Sequence, residues 1–146
     1  MKDPVILHVD DASDDVFFLK EALTLASFKG TIVAVSDGME AQQYLLGDGK
    51  YGDRHKFPLP DLVIFGLQIP NFSGCQFIEW MRRECPHDVP VFVFCSWEAV
   101  GDVHQILRTG VSEVFVKPAS IEEWPTQARA LIDAYISCKH ATARFV

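Results

Sequence analysis

Residues 60–70 of the chain read PDLVIFGLQIP, an apolar run that leads into a segment with a proline. The apolar residues follow one another without alternation, which is typical of a parallel strand with both faces buried. Two further apolar runs carry charged groups at their ends: residues 5–11 read VILHVDD and residues 114–118 read VFVKP. The sequence therefore predicts three strands. The strands within residues 5–11 and 114–118 end in charged side chains, and the strand within residues 60–70 ends in Gly66.

Strand-like and helix-like segments alternate along the chain, and this alternation determines the fold class. Strands are predicted at 4–9, 31–35, 61–66, 91–94 and 113–116. Helices are predicted after an N-cap at Ser13, over 37–46, over 74–84, near 98–108 and from the region of Pro125 onward. Five successive strand–helix units predict an α/β protein with a doubly wound parallel sheet, because right-handed crossovers place helices on both faces.

Helical spacing of apolar residues predicts which side of each helix meets the core. The first helix is expected to use Val16, Leu19, Leu23 and Ala26, and the second to use Met39, Leu45 and Leu46. The last helix is expected to use Ile121, Trp124, Ala128, Leu131 and Tyr135. Residues 47–60 are polar, and the GDGKYG motif at their start does not follow a strand as a dinucleotide site requires, so we expect a flexible loop.

Four segments place chemically distinct residues at predicted strand carboxyl ends: the pair Asp10 and Asp11, then Gly66, Cys95 and Lys117. Ligands of open α/β sheets bind at this edge, near the point where the strand order reverses. We therefore expect the four segments to converge on one site. His8 lies inside the first strand, where a buried histidine with satisfied hydrogen bonds is a better interpretation than a catalytic one.

Length, composition and charge exclude several classes of protein. A chain of 146 residues, 49% hydrophobic and 23% charged, is expected to form one globular domain. No apolar run approaches the ~20 residues that cross a bilayer, and no signal peptide is recognisable. The net charge of −7 argues against nucleic-acid binding. The cysteines lack zinc-ligand spacing and are expected to be reduced thiols of a cytoplasmic protein: Cys75, Cys85, Cys95 and Cys138.

The chain resembles a response-regulator receiver domain from about residue 4 to residue 136. The resemblance rests on Asp10-Asp11, on Lys117-Pro118 and on the proline segment 67–74, LQIPNFSG. The long loop from residue 46 to residue 60 is similar to that of stand-alone receivers that work beside phytochrome-type kinases. The resemblance implies the flavodoxin-like strand order 2-1-3-4-5, a role in two-component phosphorelay signalling, and residues 137–146 as a tail without an output domain.

The resemblance also implies partners. They are expected to be proteins, a histidine kinase or another receiver, with no nucleic acid and no membrane. Homodimerisation is expected through the fourth helix, the fifth strand and the fifth helix.

The departures from the family pattern concern three working positions. Gly66 falls where the family has its phosphoacceptor aspartate, Cys95 where it has a threonine or serine, and Val114 where it has the aromatic switch residue. In a typical receiver, two acids and the acceptor bind Mg²⁺, and the lysine contacts the phosphoryl oxygens. Glycine has no side chain, so no acyl phosphate is expected at residue 66. Only a weak Mg²⁺ site is expected, at Asp10 and Asp11, with the Gln68 carbonyl as a further ligand.

Three functional interpretations follow. The first is a degenerate receiver, a non-enzymatic module for protein interaction that is not phosphorylated at the usual site. The second is a receiver that is phosphorylated at another residue. The third is a redox or small-molecule sensor that uses Cys95, whose thiol pKa a neighbouring lysine would lower and neighbouring aspartates would raise. In the first interpretation, Lys117 is expected to bridge directly to Asp10 or Asp11.

Overall fold

The computed structural model describes residues 3–69, 72–85, 89–96, 103–108 and 110–144. The strands are β1 Val5–Val9, β2 Thr31–Val35, β3 Leu62–Gly66, β4 Gln68–Ile69, β5 Phe72–Ser73, β6 Val91–Cys95 and β7 Glu113–Val116. The helices are α1 Ser13–Leu25, α2 Gly38–Leu46, α3 Gly74–Glu84, α4 Val103–Leu107 and α5 Trp124–Arg144, with 3₁₀ turns at Gly49–Tyr51 and Ile121–Glu123. Within these ranges, no helix is long and apolar enough to cross a bilayer.

The five long strands form one parallel sheet in the order β2-β1-β3-β6-β7. This confirms the predicted order 2-1-3-4-5, since β6 and β7 are the fourth and fifth long strands. The register pairs Gly66 with Phe94 and Cys95 with Val116. The carboxyl ends of β1, β3, β6 and β7 therefore lie beside one another, and residues that follow these strands are brought to one edge of the sheet.

Alternate side chains of the central strands enter two separate cores, which explains why their sequences read as unbroken apolar runs. Val63 and Phe65 of β3 face a core that α2, α3 and α4 cover, where the rings of Phe65 and Phe77 stack at 4.5 Å. Ile64 of the same strand faces a second core under α1 and α5, with Trp124 among its members. Both faces of the sheet are covered, as the sequence predicts for a doubly wound fold.

The predicted N-cap of the first helix is wrong by one residue. Ala12 is the N-cap of α1, and Ser13 is its first helical residue without a capping hydrogen bond. The Ala12 N–H instead donates to Asp10 Oδ1 at 2.9 Å, so a site residue closes the turn between β1 and α1. Conventional caps begin the next two long helices: Asp37 accepts from Glu40 N–H, and Ser73 forms a capping box.

Three predicted core contacts are wrong. Met39, Leu46 and Ile121 are exposed. In α2 the buried stripe runs through Ala41 and Tyr44, because the large Tyr44 ring fills the space against β1 and the 47–60 segment. Ile121 lies in the 3₁₀ turn that precedes α5, so its direction does not follow the spacing of the helix.

Residues 47–60 do not form the flexible loop that was expected. Tyr51 is buried, and the rings of Tyr44, Tyr51 and Phe57 pack against one another at 5.0 to 6.2 Å. Arg54 donates hydrogen bonds to the carbonyls of Tyr44, Leu45 and Phe57 at 2.8, 3.0 and 3.2 Å. The Arg54 side chain therefore connects the end of α2 to this segment. The composition of the segment alone does not indicate this contact.

The last helix differs from the prediction in extent, and part of the fourth cannot be compared. Helix α5 begins at Trp124, one residue before Pro125, and continues to Arg144, so residues 137–144 are helical instead of a tail. Of the helix predicted near 98–108, the described part is Val103–Leu107, while residues 97–102 lie outside the described residues.

Candidate functional site

The four segments predicted to converge lie together at the carboxyl edge of the sheet. Backbone hydrogen bonds position their ends: Asp10 N–H donates to Val35 O at 3.0 Å, and Lys117 N–H donates to Cys95 O at 2.8 Å. Gly66 is the last residue of β3, paired with β6. Because strand pairing places these residues, the convergence is a consequence of the sheet order and not of side-chain contacts.

The Lys117 ammonium group lies between two carboxylates. Its Nζ is 2.8 Å from Asp10 Oδ2 and 2.8 Å from Asp15 Oδ2. The Asp10 side chain is 2% exposed, whereas those of Lys117 and Asp15 are 22% and 29% exposed. The predicted bridge from Lys117 to Asp10 is thus present, and the second carboxylate comes from Asp15 and not from Asp11.

Asp15 is the site residue that sequence reasoning missed. A helix that starts near Ser13 places Asp15 in its first turn, where the helix dipole favours an acidic residue, and this explains Asp15 without a role in the site. Because α1 begins at Ser13, immediately after the acidic pair, its first turn lies over the carboxyl edge of the sheet. The short turn between β1 and α1 was the one signal in the sequence that pointed to Asp15.

The environment of Lys117 favours its charged form. Burial disfavours the ammonium group, but the ion pair with Asp10 and the hydrogen-bonded ion pair with Asp15 outweigh burial and raise the pKa of Lys117. Lys117 therefore carries its positive charge at neutral pH, shared between two carboxylates.

His8, in β1, is buried next to Asp10. Its Nε2 is 3.8 Å from Asp10 Oδ2, and its Nδ1 has no hydrogen-bond partner among the described residues. Burial lowers the pKa of His8 to about 4, and the nearby Asp10 only partly opposes this effect. His8 is therefore neutral at pH 7. The expectation that its hydrogen bonds are satisfied is wrong for Nδ1.

A cleft of about 160 Å³ opens beside Gly66, lined by Asp11, Gly66, Leu67, Phe94, Ser96 and Lys117. Gly66 lies in regular strand structure, a conformation that other residues adopt readily, so the backbone does not require glycine there. Ser96 lines the cleft, while Cys95 is buried in the sheet. Burial raises the pKa of the Cys95 thiol, which keeps it protonated and disfavours a redox role.

The aromatic residue next to Val114 does not take over the switch position. Val114 packs against the core under α2, α3 and α4. Phe115 points to the opposite face, where its ring lies 5.6 Å from the rings of Phe92 and Phe94. Successive strand residues face opposite sides of a sheet, so a neighbouring aromatic residue cannot substitute without a change of register.

The residues present do not fit the Mg²⁺ ion that the resemblance implies. Asp10 is engaged by Lys117, Gly66 has no side chain, and Asp11 is the one carboxylate that lines the cleft in the part of the chain that the structure describes. No group of three or more potential metal-binding side chains occurs among the described residues. A hard divalent cation needs several charged oxygen ligands, and this arrangement does not provide them.

Comparison with known proteins gives the family. The model of the response regulator receiver domain matches residues 6–129, and the chain belongs to this family. It carries the receiver domain of two-component systems. This agrees with the strand order and with the acidic pair and lysine at the carboxyl edge.

Individual relatives are distant. The chain is 27% identical over 129 residues to the transcriptional regulatory protein PrrA of Mycobacterium tuberculosis, which covers 88% of this chain but only 50% of PrrA. It resembles the structure of the phosphorylated cyanobacterial phytochrome response regulator RcpA, with a TM-score of 0.81, 24% identity and coverage of 93% and 96% of the two chains. Response regulator RPA3017 in red light signalling of R. palustris gives a TM-score of 0.79, 26% identity and coverage of 88% and 90%.

Proposed function

We propose that this protein is a degenerate receiver, which takes part in phosphorelay signalling as a protein-interaction module and is not phosphorylated at the usual site. The observation that supports the proposal is Gly66 at the end of β3, the position that the resemblance assigns to the family's acceptor aspartate. An acyl phosphate needs a carboxylate as nucleophile. Glycine offers none, and the cleft beside it is left without the acceptor.

The arrangement around Lys117 supports the same proposal. In a typical receiver this lysine contacts the incoming phosphoryl group, whereas here it is held by Asp10 and Asp15 at 2.8 Å each. A switch needs a ligand with different affinity for two states of the protein. Without phosphoryl chemistry at residue 66, and with Cys95 and Val114 at the switch positions, the protein is expected to keep one conformation.

The partner is proposed to be a histidine kinase or another receiver, bound constitutively. The proposed surface consists of α4, β7 and α5, and the same surface is proposed for a homodimer. β7 is an edge strand of the sheet, and its residue Glu113 is exposed. Non-enzymatic binding, and not catalysis, is the proposed activity.

Incubation with acetyl phosphate and Mg²⁺, followed by intact-mass measurement, tests the proposal. The expected result is no gain of a phosphoryl group, because Gly66 has no nucleophile. A gain that hydroxylamine removes would show that another carboxylate, such as Asp11, accepts the phosphoryl group, and would refute the proposal.

The variant Gly66→Asp is the positive control for this experiment. It returns a carboxylate to a strand position beside the cleft and is expected to gain phosphoryl mass. Calorimetry of the unmodified protein with Mg²⁺ completes the test, with no submillimolar binding expected.

A further inference from the structure

We propose that the Asp15 carboxylate replaces the anionic partner that Lys117 lacks at Gly66. Through its contact with Lys117, Asp15 also attaches the segment after β7 to helix α1. This inference rests on the proposed function, in which the protein keeps one conformation, and it names a contact that stabilises this conformation. Asp15 is therefore a positioning residue, acting through Lys117.

The first argument is the geometry of the contact. Lys117 Nζ donates a hydrogen bond of 2.8 Å to Asp15 Oδ2 across 102 residues of sequence. Asp15 lies in the first turn of α1, and Lys117 is the first residue after β7. The contact therefore joins the first turn of α1 to the segment after β7.

The second argument concerns the number of partners. An ammonium group has three donors, so one carboxylate does not satisfy it. Asp10 Oδ2 lies 2.8 Å from Lys117 Nζ but accepts no hydrogen bond from the described residues, whereas Asp15 Oδ2 accepts one from Lys117. In the absence of an acceptor carboxylate at Gly66, Asp15 supplies the second anionic oxygen. Because Asp10 is 2% exposed and Asp15 is 29% exposed, Asp15 is the partner on the solvent side.

The third argument concerns the segment that Lys117 begins. Glu123 accepts hydrogen bonds from the N–H groups of Ala119 and Ser120 at 2.9 and 3.3 Å, which fixes the end of the segment next to α5. Asp15 fixes its beginning through Lys117. Residues 117–120 are thus held at both ends, and they connect β7 with the 3₁₀ turn that precedes α5, within the surface proposed for partner binding.

Asp14 is a matched control for the interaction of a negative charge with the dipole of α1. Both Asp14 and Asp15 lie in the first turn of α1, where a negative charge interacts favourably with the helix dipole. Asp14 is exposed and forms no ion pair within the described part of the chain. A dipole effect is therefore common to both residues, whereas the contact with Lys117 belongs to Asp15.

The test compares Asp15→Asn with Asp14→Asn in the otherwise unmodified chain. The pKa of Lys117 is measured by NMR titration of isotope-labelled lysine, with Lys117→Met to assign the signal, and amide exchange is measured at Lys117, Ala119 and Ser120. In Asp15→Asn the pKa is expected to fall and exchange to accelerate several-fold, while Asp14→Asn leaves both unchanged. Asp15→Glu, which restores the charge, is expected to recover most of the pKa.

Equal behaviour of the two asparagine variants, or an unchanged Lys117 pKa in Asp15→Asn, would overturn the inference. Circular dichroism checks folding, and Asp15→Ser serves as a second removal variant if Asp15→Asn does not fold.

In the Gly66→Asp background, Asp15→Asn is also expected to accelerate phosphoryl gain several-fold, because Lys117 becomes free to contact the phosphoryl group. Phosphorylation of the unmodified chain would refute the proposed function, whereas the lysine titration by itself decides the role of Asp15.

Discussion

Asp10 carries a buried carboxylate beside the Lys117 ammonium group. Its carboxylate is almost completely buried, and Lys117 is the cation beside it at 2.8 Å. A buried charge that loses its partner destabilises a protein far more than the intact pair stabilises it. The pair therefore has a structural role in addition to its place in the site.

Replacing Lys117 by methionine tests this role. Lys117→Met keeps the aliphatic stem but leaves Asp10 without its cation, so we expect a loss of about 3 kcal/mol in the free energy of unfolding. Urea denaturation measures the change. Lys50→Met is the control, because Lys50 is 71% exposed and lies 3.9 Å from Glu40; its replacement is expected to cost less than about 1 kcal/mol. Equal losses in both variants would contradict the role.

His8 predicts a pH dependence of stability. Its pKa is lowered from 6.5 to about 4 in the folded protein, so the unfolded chain binds the proton more readily. The contribution of neutral His8 is complete above pH 6.5 and is lost as the pH falls towards 4, by an amount on the order of 3 kcal/mol. The free energy of unfolding of His8→Val is expected to fall less steeply over this range than that of the unmodified protein.

The exposed His55 provides the comparison. Since His55 is exposed, His55→Asn is expected to keep the pH slope of the unmodified protein. If His8→Val retained the same slope as well, the carboxylates alone would account for the pH dependence and the assignment to His8 would be wrong.

At the scale of elements, the segment 47–60 illustrates how one side chain determines local order. Arg54 satisfies two carbonyls at the end of α2, Tyr44 and Leu45, and one within the segment, Phe57. The last carbonyls of a helix have no partner within the helix, so a side-chain donor is effective there.

Removal of this donor is expected to loosen α2 and the segment together. Arg54→Met should lower the free energy of unfolding by about 2 kcal/mol, because three part-buried carbonyls lose a charged donor. Lys56→Met is the matched control: Lys56 is exposed and lies 5.7 Å from the Phe57 ring, a contact worth less than about 1 kcal/mol. Hydrogen exchange confined to residues 44–57 measures the local effect, and exchange unchanged by Arg54→Met would show that the aromatic cluster alone orders the segment.

At the scale of the whole molecule, the proposed partner surface can be tested by charge reversal. Glu113 in β7 and Arg108 after α4 are both exposed. Glu113→Lys and Arg108→Glu are expected to weaken self-association, measured by sedimentation velocity, and capture of a purified histidine kinase. The binding is expected to be the same with and without acetyl phosphate.

The control for the surface is Lys50→Glu in the 47–60 segment, on an exposed side chain away from α4, β7 and α5. Its binding is expected to equal that of the unmodified protein. Loss of binding in Lys50→Glu, with retention in the other two variants, would place the interface on the 47–60 segment.

The sequence by itself determined the sheet and the position of Gly66 at the end of β3. Unbroken apolar runs such as 62–65 report burial on both faces, and the alternation of strands and helices restricts the order of the strands. The position of Gly66 at a strand end follows from the same local pattern. These features are readable because each depends on neighbouring residues or on chain order.

Only the tertiary structure decided which side chains meet at the site. Asp15 contacts Lys117 across 102 residues, and Ser96 lines the cleft where Cys95 does not. The order of the 47–60 segment likewise depends on where the Arg54 side chain is directed. Such contacts depend on strand register, helix position and side-chain direction at once, and the spacing of residues along the chain contains none of these three.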